Sequence, residues 1–263
     1  MDKSFSYQKH IIAYLDILNF KKIVQDDAYN DLFATLFALI NSFAGRDMAS
    51  MRLKGIKTAV LSDSLIFSIR YSEKAAFHKI LNLAEVVQTF LLEKEIITRG
   101  AISIGALYHK DNVVFGPALV DAYLLQEHVA VYPRCIIETE TLQAGLKTCA
   151  SDVSRVTEMQ DMYQDTDGFW VLDLFRRIFD VTIYSDAKHG TSFLEDKLSQ
   201  TRNFILKNLN ETQTPRVRAK YEWLKNSYNH AIRSVSETHH CEEALMQYLI
   251  DTPPIVDRDG GLV

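Results

Sequence analysis

Cysteine is scarce in this chain, with three residues (Cys135, Cys149 and Cys241) among 263. An odd number at no metal-ligand spacing makes no disulfide framework, and a reducing, cytoplasmic setting fits better. Proline and glycine are also few, at 5 and 10, too few for a low-complexity or largely disordered chain. Long apolar runs are missing: Leu32 to Ile40 spans nine residues, where a membrane helix needs about twenty. The opening MDKSFSYQKH has no apolar stretch of the signal-peptide kind. Nor is there an excess of positive charge. Lys and Arg number 29 against 34 Asp and Glu, a formal net charge of −5, so no global field favours nucleic acid. Secretion, membrane insertion and a nucleic-acid grip are all disfavoured.

What is present is a regular change of period. Residues 9–17 (KHIIAYLDI) read as a buried strand. From Asn19 to about Phe43, apolar residues at Phe20, Ile23/Val24, Leu32/Phe33, Leu36/Phe37 and Ile40 mark a helix face. Residues 52–70 predict two strands with Ser62-Asp63-Ser64 at the turn between them. Ser72 is a candidate N-cap for a second helix, whose face runs Ala76/Phe77, Ile80/Leu81, Ala84, Val87 and Leu91. Residues 98–108 predict a further strand. The order β-α-β-β-α-β is that of a ferredoxin-like α+β core, with helices packed on an antiparallel sheet. A short strand at 112–116, a helix near 117–130, and strands at 135–138 and 169–175 follow. Residues 1–180 are expected to form this core and residues 181–263 a helical extension, in which Tyr221, Trp223 and Tyr228 read as packing. His239-His240-Cys241 lacks the second ligand pair of a zinc site.

Two carboxylates stand out. Asp16 ends the first strand within an otherwise apolar run, and Asp63 occupies the hairpin tip. In this topology the first strand lies beside the hairpin, so both meet at one end of the sheet. Like charges held close raise one another's pKa unless a cation intervenes. Mg²⁺ or Mn²⁺ suits such a pair, because a hard cation takes one or two carboxylates plus phosphate oxygens. The turn from Ile17 to Phe20 into the first helix offers N–H groups suited to a triphosphate.

The segments around these residues resemble a known family. LDILNFKKIV is similar to the Asp-Ile-x-x-Phe segment that opens class III nucleotidyl cyclase domains, and LSDSLIF stands where that family has its second metal aspartate. RGAISIG resembles its Arg-x-Gly-Ile-x-x-Gly strand, and VVFGPALVDAYLLQE takes the place of its Trp-Gly-x-x-Val-Asn helix start. This covers about residues 8–140. Along nearly the whole chain, FGPALVDAYLLQE, AVYPR and KYEWLKNSYN resemble the pyrimidine cyclases of the bacterial Pycsar anti-phage systems.

The resemblance implies a class III nucleotidyl cyclase core in which Asp16 and Asp63 ligate two divalent ions (Mg²⁺ or Mn²⁺), helped by the Ile17 carbonyl. Phe20 would wall the pocket and Arg99 would hold the polyphosphate, a planar cation matching phosphate well. Purine cyclases read their base with a Lys four residues before the second Asp and an acidic residue before the Trp-Gly pair. Here those places hold Ala59 and Val113, which offer a base no side-chain hydrogen bond. Purine specificity is therefore disfavoured. Lys57, two residues earlier, is a candidate for reading a smaller pyrimidine. The transition-state Asn and Arg positions hold Val120 and Leu124, with Tyr123, Glu127 and Arg134 as candidate substitutes. The implied activity is conversion of UTP to 3′,5′-cyclic UMP and pyrophosphate. CTP giving cyclic CMP, a purine cyclase and a non-catalytic nucleotide sensor are the alternatives. A homodimer with sites at its interface, and a separate effector gated by the cyclic nucleotide in anti-phage defence, complete the expectation.

Overall fold

The computed structural model describes residues 6–29, 31–36, 38, 54–111, 113–149, 151, 162–175, 178–179, 193–212, 214–239 and 245–251. The chain divides into two compact units, Met1–Leu174 and Phe175–Val263.

The first unit is built on β1 (Gln8–Ile17), β2 (Lys57–Leu61), β3 (Ser64–Arg70) and β4 (Thr98–Lys110). β1 lies between β3 and β4, antiparallel to both, and β2 pairs outside β3. The spatial order β2-β3-β1-β4 is the ferredoxin-like one. α3 (Ala76–Leu92) follows β3, and the sheet continues through β6 (Cys135–Ile137), β8 (Trp170–Leu172) and β7 (Met162–Gln164). β5 (Val113–Phe115) pairs with the far end of β4. α4 (Pro117–His128) and α5 (Thr139–Leu146) complete the unit. It is a mixed sheet with helices, an α+β fold.

β1 is apolar almost throughout because both of its faces are covered. Ile11, Ala13, Leu15 and Ile17 pack with Phe67, Ile69 and the α3 residues Phe77, Ile80, Ala84 and Val87. Ile12, on the opposite face, joins Ala59, Ile66, Leu107 and the α4 residues Ala118 and Ala122. α4 comes close because β4 carries Gly105, where a Cβ would stand 3.2 Å from that of Ala118. Cys135 and Cys149 are not in a disulfide, and burial pushes the Cys135 thiol far above its ordinary range, which leaves it inert.

Two expectations change. The helical pattern from Asn19 breaks into α1 (Phe20–Ile23), a 3₁₀ turn at Asp27–Tyr29 and α2 (residues 31–36). Asp26 supplies the break: its carbonyl accepts the Tyr29 N–H, closing a tight turn in place of a continued helix. Phe37, Ile40 and Phe43 lie outside what is described. Ser72 does not cap α3; Ala75 does, in the left-handed conformation at φ 55°. α5 and β7 had no periodic signal, being eight and three residues long.

The second unit contains α6 (Phe193–Glu211) and α7 (Pro215–His239), which pack on each other. Tyr228 is fully buried, its hydroxyl donating to the Leu198 and Tyr248 carbonyls at 3.1 and 3.3 Å, with Phe175 and Phe179 edge-on to its ring. Asn229 clamps Ile250 through both its amide and its carbonyl at 2.9 Å. Tyr228 is thus core. His240 and Cys241 lie outside the described residues. No helix among the described residues is long and apolar enough to cross a membrane.

Candidate active site

The register aligns Asp16 with Ser64 on one side and with Arg99 on the other. Leu61 pairs with Ser64, so Ser62 and Asp63 form a two-residue turn, with Ser62 at φ 55°. The Ile17 N–H donates to the Asp63 carbonyl at 2.9 Å, fastening the tip to the end of β1. Asp16, Ile17, Asp63 and Arg99 therefore gather at one sheet end.

Asp16 is a mostly buried carboxylate, 14% exposed at its side chain. Burial pushes its pKa up and the nearby Asp63 adds to this, while Arg99 opposes both; the net direction is upward. Two hydrogen bonds reach it, from Arg99 Nε at 2.9 Å and from the buried Gln126 Nε2 at 3.3 Å. Both end on Oδ2. Oδ1 accepts no hydrogen bond among the described residues, nor does the Asp63 carboxylate. Arg99 also donates through Nη2 to Glu127 Oε2 at 3.0 Å.

No group of three or more His, Cys, Asp and Glu able to hold a metal occurs among the described residues. What Asp16, Asp63 and the Ile17 carbonyl could offer a cation is a partly filled shell of oxygen donors, the rest left to water and phosphate. That suits Mg²⁺ or Mn²⁺ and suits Zn²⁺ poorly. A cation here would favour the charged form of Asp16 against the burial and the neighbouring carboxylates that raise its pKa.

Phe20 packs edge-on to Phe33, with ring centroids 5.8 Å apart. With Ile17, Leu36 and Val60 it lines an apolar cavity of about 150 Å³ beside the hairpin tip. The N–H groups of Ile17 and Leu18 are taken by Asp63 and Ile97. Those of Asn19, Phe20 and Lys21 have no partner among the described residues. The turn from Ile17 into α1 thus offers fewer donors than its length suggests.

Ala59 and Lys57 stand on the sheet face that carries Asp16 and Ser64, in rows with Ile66 and Ser68. Ala59 is buried in the small apolar cluster under α4. The Lys57 ammonium donates to the His109 carbonyl, and burial, aided by Arg70, lowers its pKa. Ser68 Oγ lies 2.7 Å from His109 Nδ1, a polar pair that the sequence reading missed. Nothing in the spacing of residues 68 and 109 announces it, because Ser68 lies on β3, which pairs with β1 and β2, and His109 on β4.

Arg134 does not enter the site. Its guanidinium, 2% exposed, is held by Asp165 at 2.6 Å and by both oxygens of Asp167. Val120 and Leu124 are exposed on α4, as is Tyr123, whose ring sits edge-on to Tyr14 at 5.9 Å.

No family model and no curated protein matches the chain. Among solved structures it is similar to the catalytic core of a rhodopsin-guanylyl cyclase with converted specificity, in complex with ATPalphaS. The identity is 14%, over 65% of this chain and 98% of that one, with a TM-score of 0.43. The monomeric guanylyl cyclase domain of a RhoGC fusion protein from the aquatic fungus Blastocladiella emersonii gives 16% identity over 65% and 98%, with a TM-score of 0.42. An adenylyl cyclase from P. aeruginosa gives 14% over 52% and 80%, with a TM-score of 0.35. Matches at this identity concern fold, and chemistry has to come from the residues.

Proposed function

We propose that this chain is a nucleotidyl cyclase that converts UTP to 3′,5′-cyclic UMP and pyrophosphate. The observation that carries the reading is the meeting of Asp16, Asp63 and Arg99 at one sheet end, with Asp16 Oδ1 left open. Asp16, Asp63 and the Ile17 carbonyl would hold two divalent ions, which supply Lewis acidity for attack of the ribose 3′-hydroxyl on the α-phosphorus. Arg99 neutralises and orients the triphosphate. Phe20 and its apolar neighbours shield the α1 side from water.

A pyrimidine is favoured because Ala59 and Val113 give a purine edge no side-chain partner, and Lys57 is the cation on that strand. The exposed apolar residues Val120, Tyr123 and Leu124 of α4, with Val113 and Phe115 of β5, support a homodimer. The role that goes with the sequence resemblance is a second messenger acting on a separate effector during phage infection.

A second reading, a nucleotide sensor without turnover, is favoured by one observation. Val120 and Leu124 carry no charge, and Arg134 is committed to Asp165 and Asp167. Incubating the purified protein with each of the four NTPs and Mn²⁺, and identifying products by mass spectrometry, separates these readings. Cyclic UMP and pyrophosphate are expected, with at least a hundredfold loss in Asp63→Asn, in line with removal of a principal charge-stabilising group. Cyclic CMP alone would move the substrate to CTP. No cyclic product from any NTP, or full turnover in the Asp63→Asn variant, would overturn the proposal.

A further inference from the structure

Arg99 stands between two carboxylates, and the second of them, Glu127, which the sequence offers only as a candidate substitute for a transition-state group, is its direct partner. The Arg99 fork divides its donors, Nε to Asp16 and Nη2 to Glu127, at 2.9 and 3.0 Å. Asp16 and Arg99 are both 14% exposed at the side chain, while Glu127 is 44% exposed and reaches in from the end of α4. The preceding residue, Gln126, is buried and donates to the same Asp16 oxygen. One helical turn thus grips both members of the Arg99–Asp16 pair.

The division matters because each charge in the group has a competitor. A divalent ion on Asp16 withdraws that carboxylate from Arg99. With Glu127 present, Arg99 retains a charged partner, and its release from Asp16 is cheap. A polyphosphate on Arg99 must in turn draw the guanidinium away from Glu127. One carboxylate therefore favours cations at Asp16 and opposes polyanions at Arg99.

Resting on the cyclase reading of the site, we propose that Glu127 is a positioning residue that makes polyphosphate binding depend on prior or simultaneous cation binding. Without a cation, Arg99 is held by two carboxylates and grips phosphate weakly. With a cation on Asp16, only Glu127 holds it. The coupling acts through Arg99, and it disfavours occupation of the site by metal-free nucleotide.

The test needs no turnover. Mn²⁺ affinity is measured by electron paramagnetic resonance of the free ion, and inorganic tripolyphosphate affinity by calorimetry in EDTA. In Glu127→Gln, Mn²⁺ binding is expected to weaken and metal-free tripolyphosphate binding to tighten, each by about fivefold, near the low end of ordinary coupling between sites. A general field effect of the lost charge would give the same signs, so both measurements are repeated in an Arg99→Gln background. There the Glu127→Gln effects are expected to vanish. Glu127→Asp, which keeps the charge, should retain wild-type Mn²⁺ affinity and covers the case of a poorly folding Gln variant. Equal effects in both backgrounds, no opposite shift in the single variant, or a wild type that binds neither probe would overturn the proposal. Opposite shifts in a protein that makes no cyclic nucleotide would leave this coupling standing and remove only the cyclase reading.

Discussion

His109 shows how far a single residue can depart from what its place in the sequence suggests. It is 3% exposed, and burial, together with the Lys57 charge, depresses its pKa from 6.5 to about 4. The unfolded chain therefore binds a proton near pH 6.5 that the folded chain refuses until about pH 4. His109 favours the folded state fully above pH 6.5, and this contribution is lost as pH falls towards 4, at up to about 1.4 kcal/mol per pH unit. Urea midpoints at pH 7 and pH 5 should differ, and the difference should shrink in His109→Gln. An unchanged difference would show that other groups carry the pH dependence. At this scale Asp16 and Asp63 were legible, since a carboxylate inside an apolar run and another at a hairpin tip are local signals. His109 and Gln126 were not, and Glu127 entered only as a candidate substitute for a transition-state group, because their partners are set by how β4 and α4 are placed in space.

Among elements, α4 does the most with the least pattern. Its apolar residues form no single stripe: Ala118 and Ala122 are buried while Val120, Tyr123 and Leu124 face outward. Small residues let it lie close to β4, and Gly105 is the matching gap in the strand. Gly105→Val is expected to force the helix outward, lowering stability by about 1–3 kcal/mol, the usual cost of overpacking. It should also weaken the Gln126 and Glu127 contacts to the site. Equilibrium denaturation checks the first effect, and an unchanged midpoint would show that α4 has room to spare. β1 to β4 and α3 were readable from short apolar, β-branched runs and 3.6-residue periodicity, each running five residues or more. α1, α5 and β7 were unreadable or misjudged because each is too short for a period to declare itself.

For the whole molecule, the sequence announced two regions of different character, and the chain divides after Leu174. The catalytic reading needs only the first unit, on which Val113 and Phe115 of β5 and Val120, Tyr123 and Leu124 of α4 are exposed. Sedimentation equilibrium of the full chain is expected to give a dimer, and Tyr123→Glu combined with Leu124→Glu a monomer. A wild-type monomer at tens of micromolar would count against sites shared between subunits. What the sequence could not convey is how charge is distributed. A net charge of −5 coexists with a site in which one arginine is shared by two carboxylates.

The turn at Ser62 and Asp63 carries a consequence for which changes in length such a protein tolerates. Leu61 and Ser64 are paired, and the Asp63 carbonyl is tied to Ile17, so the tip has no slack. One residue inserted there would rotate Asp63 to the other side of the strand or carry it off the end of β1. One deleted would leave the strands no turn. Descendants of this chain can be expected to keep the hairpin tip at two residues for as long as Asp63 serves the proposed site.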